Sequence, residues 1–164
     1  MHCRFLTLLL VLSAALLSPA AAGGKPDKKA SVSFHIQGDA TENPRMIFAQ
    51  EMNGKAMNFR RVPEVGTKDI ASYTPFPSAG GGDFGAVFRL KRSAASRLSA
   101  ISNASQGRWL AAMVNGRIVD GVILDKQIDD GVMVIWKGIT LEDIAVLDET
   151  LTRTGAEGEK KKKN

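Results

Sequence analysis

The stretch Trp109-Leu-Ala-Ala-Met-Val-Asn-Gly-Arg-Ile-Val-Asp-Gly-Val-Ile-Leu124 decides the fold. Two apolar runs, Trp109 to Val114 and Ile118 to Leu124, flank Asn115-Gly116. Asn and Gly tolerate the positive φ that both central residues of a tight hairpin turn require, so the stretch predicts two antiparallel strands. Immediately upstream, Phe84 to Leu90 reads as a strand. Ser93 then caps a helix to about Ala104, in which Ala94, Leu98 and Ile101 recur at helical spacing and Gly107 is the stop. Downstream, Asp129-Asp130-Gly131 is a turn and Val132 to Trp136 a further strand that Gly138 ends. Thr140-Leu-Glu-Asp143 has the spacing of a capping box, and the helix it opens places Ile144, Leu147 and Leu151 on one face.

The preceding part is β-rich. Ser31 to Gln37 alternates strictly, with Val32, Phe34 and Ile36 on one face and Ser33, His35 and Gln37 on the other, a half-buried strand. Met46-Ile-Phe48 and Met57-Asn-Phe59, around Asn53-Gly54, predict a second hairpin. Thr67 can cap one short helical turn, and Tyr73 to Gly82 is a loop by composition. The expected fold class is α+β, a largely antiparallel sheet with two main helices packed on one face.

The chain opens as an exported protein does. Arg4 precedes an apolar run from Phe5 to Leu17, too short for a membrane span, and Ala20 and Ala22 suit signal-peptide cleavage. The expected organisation is a signal peptide at 1–22, a linker at 23–30, a β-rich half at 31–83, an α+β half at 84–153 and a basic tail at 154–164. Cleavage removes Cys3, the single cysteine, which excludes disulfides and thiolate chemistry from the mature chain. The net charge of +5 does not signal nucleic acid. Residues 31–155 hold fourteen Lys and Arg against fourteen Asp and Glu, and the excess lies in Lys25, Lys28, Lys29 and Lys160 to Lys163. Those ends read as solvated, and no further apolar run is long enough to span a membrane.

Catalytic sets fail one by one. His35 is the single histidine after cleavage and lies on a polar strand face where exposure is ordinary, so it predicts neither a nucleophile's base nor a zinc ligand. Asp125, Asp129 and Asp130 lack the spacing of a calcium loop and are turn residues. Gly80-Gly81-Gly82 lacks the Gly-Lys-Ser/Thr ending of a phosphate loop. No catalytic residue, metal or cofactor is expected, and the chain reads as a non-enzyme. Trp109 and Trp136 are core or edge residues; an exposed Trp136 beside Lys137 is the candidate partner contact.

The segment from about Phe84 to Leu151 resembles the periplasmic head of SecD, from the SecDF protein-export family. The resemblance runs in order through Val87-Phe-Arg-Leu90, Arg97-Leu98, Gly107 to Ile118, Ile123 to Gly131 and Gly138-Ile-Thr-Leu-Glu-Asp-Ile144, with Gln127 where the family often has proline. More weakly, Thr67 to Ala71 is similar to the short helix that begins the head. The resemblance implies an α+β domain that meets translocating polypeptide or other Sec components outside the membrane; the expected partners are polypeptide, Sec or envelope proteins, and the expected location is the periplasm or outside the cell. Here it would lack the family's transmembrane helices, and no functional residue carries over. The expected function is a binding or accessory domain; the alternative is a small envelope hydrolase built on carboxylates, for which converging carboxyls of raised pKa would speak.

Overall fold

In the computed structural model residues 29–155 are described; the signal segment and most of both expected terminal tails lie outside them. In chain order the first elements are β1 (Val32–Ile36), β2 (Ile47–Met52), β3 (Lys55–Arg60), β4 (Val65–Gly66), a 3-10 turn (Thr67–Asp69) and β5 (Ile70–Pro77). Then follow β6 (Phe84–Leu90), α1 (Arg92–Ala104), β7 (Trp109–Val114), β8 (Arg117–Ile123), β9 (Val132–Ile139) and α2 (Leu141–Thr150). The architecture is α+β, with every strand ladder antiparallel: one sheet ordered β4-β1-β7-β8, one ordered β5-β6-β9, and the separate hairpin β2-β3.

Both Asn-Gly pairs make the turns their chemistry predicts. Asn115 and Gly116 join β7 to β8, Asn53 and Gly54 join β2 to β3, and all four have positive φ. The alternation of β1 sets its register against β7: Val32, Phe34 and Ile36 stand opposite Val114, Ala112 and Leu110, so one face is wholly apolar. Phe34 meets Phe88 of β6 edge to face at 6.1 Å, and Phe88 stacks on Tyr73 of β5 at 6.0 Å. These rings join the apolar faces of the two larger sheets. Leu98 of α1 and Ile144 and Leu147 of α2 belong to the same buried cluster.

The other face of β1 departs from expectation. His35 is buried, not exposed, because the β2-β3 hairpin lies across it. Its Nδ1 is 2.8 Å from the Arg60 carbonyl, which can only accept, so Nε2 accepts from the Ser33 hydroxyl, also at 2.8 Å. Phe48 packs edge-on against the ring at 5.4 Å. Small residues continue this seat: His35 pairs with Ala111 and Ala111 with Gly121, where a Cβ would come within 1.9 Å of the Met52 terminal methyl.

Four local expectations are corrected. Much of the stretch from Tyr73 to Gly82 is strand, since β5 runs to Pro77. Tyr73 exchanges hydrogen bonds with Thr152 and Thr154 on the side away from β6, and Pro75 and Pro77 share that parity. Their missing N–H groups therefore remove no bond to β6. Gly138 does not end β9 but bends it at φ 86, its N–H donating to Asp83. Neither Ser93 nor Thr67 caps: α1 starts after Lys91, and the Thr67 hydroxyl instead bridges the N–H and carbonyl of Val32.

The capping box at α2 is present and reaches beyond its helix. Thr140 accepts from the Asp143 N–H, and Asp143 accepts from the Thr140 N–H, from Asn115 at 2.7 Å and from Arg117 at 2.7 Å. The carboxylate thus ties α2 to the β7-β8 turn. Burial pushes the Asp143 carboxyl up, but the Thr140, Asn115 and Arg117 interactions outweigh it and hold it below its ordinary value of 3.8. The sign follows: a depressed folded pKa stabilises above the unfolded value, and that stabilisation is lost as pH falls through the folded one. Asp143→Asn is expected to cost about 1–3 kcal/mol in urea unfolding at pH 7, with the gap to the native chain narrowing below about pH 4. A gap constant down to pH 2 contradicts this role. Phe88→Ala, which empties the junction of the sheets, is expected to cost about 3–5 kcal/mol in the same measurement; a loss under about 1 kcal/mol contradicts its placement as the joint.

Candidate functional site

Trp136 stands on β9 with 59% of its surface exposed, unlike the buried aromatic rings of the core. Its ring meets Phe76 of β5 edge to face at 6.1 Å. Phe76 reaches that position because its partner across the β5-β6 ladder is Gly85, where a Cβ would sit 2.4 Å from the Phe76 ring. Glycine between two strands thus lets one aromatic ring lie flat across the sheet toward another. Phe76, Pro77, Trp136, Lys137 and the 78–83 connection line an open cleft of about 480 Å³.

Two aspartates hold the cleft. Asp83 accepts from the Ser78 hydroxyl and, at 2.7 Å, from the Gly138 N–H, closing the loop onto the bend of β9. The Ser78 and Gly138 bonds, with the Lys137 charge nearby, keep its carboxyl below the ordinary range. Asp120 of β8 accepts from the Trp136 N–H at 2.7 Å and so fixes the tryptophan backbone from the neighbouring sheet. Lys137 takes no part in the ion pairs found among the described residues, which leaves its ammonium to solvent or to a partner.

The candidate contact residues Trp136 and Lys137 therefore share one cleft, on the surface rather than in the core. Phe76 and Asp83 were hidden from sequence reasoning by a Pro- and Gly-rich segment that looked like a connector. Alternation of Tyr73, Pro75 and Pro77 was the available signal.

Where a carboxyl is displaced it lies low: Glu42 beside Arg60, Asp69, Asp83, Asp143, and Asp148 beside Arg153. A general acid needs the opposite displacement. Tyr73 is pushed up by burial and by its 2.5 Å hydrogen bond to Asp148, so it stays protonated. Among the described residues no three His, Cys, Asp or Glu side chains cluster as metal ligands, and Asp130 accepts from the Val132 N–H as a turn residue does. The gap between Phe34, Ala112 and Met133 measures about 10 Å³, room for one water at most.

No family model and no curated protein matches the sequence. The coordinates resemble solved structures of SecDF. One, described as a membrane component that enhances protein export, superposes with a TM-score of 0.55 at 16% identity over 78% of this chain and 66% of that one. A second, SecDF in a super-membrane-facing form, gives 0.53 at 17% identity over 76% of this chain and 19% of that one. The fold is SecD-like. Among the described residues no helix is long and apolar enough to cross a membrane.

Proposed function

We propose that this is an exported, non-enzymatic binding or accessory domain that contacts polypeptide or envelope proteins, with Trp136 and Lys137 as contact residues. The observation that carries the proposal is the exposed Trp136 packed edge to face on the half-buried Phe76, set in an open cleft beside the Lys137 ammonium. An aromatic ring held from behind by its own backbone loses little conformational freedom on binding, which is what makes tryptophan an effective anchor. Lys137 would add a salt-sensitive attraction for acidic segments. The SecD-like fold supports a place in protein export, and the signal-like start of the sequence supports delivery to the periplasm or beyond.

Titration of fluorescein-labelled, reduced and carboxymethylated α-lactalbumin, followed by anisotropy, tests the reading. Trp136→Ala is expected to weaken binding by about tenfold or more, and Lys137→Ala by a few-fold at low salt only, with unfolding midpoints little changed because both side chains are exposed. Binding by Trp136→Ala as tight as that of the native chain contradicts the proposal.

A further inference from the structure

Among the described residues, three strand edges are blocked, shielded or short. On β5 the outward positions are Tyr73, bonded to Thr152 and Thr154, then Pro75 and Pro77, which have no N–H to offer. Along β9 the Asp120 carboxylate takes the Trp136 N–H, and β8 lies alongside, with Val119 against Gly138. β4 is two residues long.

The outer edge of β2 has no such device. The direction of its backbone groups follows from its partner: the carbonyls of Asn58 and Arg60 on β3 turn toward β1, accepting from the Gly38 N–H and from His35. Asn58 and Arg60 stand opposite Ala49 and Ile47, so these two residues, and Glu51 in the same parity, turn their N–H and C=O groups the other way. Among the described residues no backbone group bonds to Ile47, Ala49 or Glu51 on that side; the Glu51 carbonyl accepts from the Gln50 side chain. At the Ile47 end of this edge lies an apolar groove of about 280 Å³, formed by Met46, Val62, Asn43 and the paired side chains of Glu42 and Arg60. Met46 and Val62 are both exposed there.

We infer that the β2 edge binds an extended polypeptide segment by strand addition, with the Met46–Val62 groove taking an apolar side chain of that segment. A row of unpaired donors and acceptors at strand spacing is complementary to peptide backbone, and a groove beside it supplies preference among side chains. The hairpin is a fit platform because His35, Phe48 and Met52 fasten it to the main sheet. The inference shares its class of partner with the polypeptide reading above but assigns a separate surface.

The test uses a fluorescein-labelled peptide of alternating valine and threonine with terminal lysines, titrated into the full mature chain. Ala49→Pro removes an outward N–H without touching the β2-β3 ladder and is expected to weaken binding about tenfold, whereas Ala49→Thr binds as the native chain does. Should Ala49→Pro misfold, amide exchange on the native chain decides. The Ala49 and Glu51 amides, on exposed residues, exchange fast when free and are slowed at saturating peptide. Unchanged exchange at saturation overturns the inference, as does undiminished binding by a folded Ala49→Pro. Protection of the same amides without peptide, in a chain that sediments as a dimer, also overturns it in favour of a second copy. Loss of binding in Trp136→Ala but not in Ala49→Pro sinks the β2 assignment and leaves the Trp136 reading standing; the reverse result does the opposite.

Discussion

Phe88 is the ring on which the rest depends. It stacks on Tyr73 within its own sheet and meets Phe34 of the other sheet edge to face. Two sheets that share no ladder are thereby packed around one apolar cluster, to which α1 contributes Leu98 and α2 contributes Ile144 and Leu147. Aromatic pairs in these geometries contribute roughly 0.5–1.5 kcal/mol beyond the area they bury. Fixing the inner faces fixes the outer ones by alternation. With Phe88 inward, Gly85 falls beneath Phe76, and Trp136 and Phe76 converge on the opposite surface.

Carboxylates do structural work across this frame. Asp143 ties α2 to the β7-β8 turn, Asp83 ties the 78–83 connection to the bend in β9, and Asp120 ties β8 to the Trp136 backbone. Asp143 and Asp83 accept from backbone N–H and other donors whose bonds hold their carboxyls below the ordinary range. A general acid needs a carboxyl kept protonated near neutrality, and at Asp143 and Asp83 the bonds that hold the fold favour the opposite.

Much of this was legible in the sequence. Both Asn-Gly hairpins, the capping box of α2 and the alternating β1 rest on local chemistry, so short-range reading found them, and the ordered segments resembling SecD agree with the fold. His35 and β5 show where such reading stops. His35 sits on a polar strand face, and its burial depends on a hairpin arriving from residues 47–60. Pro75 and Pro77 look like breakers until their parity on an edge strand is known. Trp136 was placed by its strand, while its company, Phe76 and Asp83, depends on a pairing of β5 with β6 that only the alternation of Tyr73, Pro75 and Pro77 hinted at.

The central claim is that Trp136 meets polypeptide directly. The chain holds two tryptophans, so Trp109→Phe leaves Trp136 as its sole indole emitter. Titrating that variant with reduced and carboxymethylated α-lactalbumin labelled with a non-fluorescent acceptor reads the contact itself. The account predicts quenching and a blue shift of the Trp136 emission that saturate with binding. An emission spectrum unchanged at saturation would contradict it.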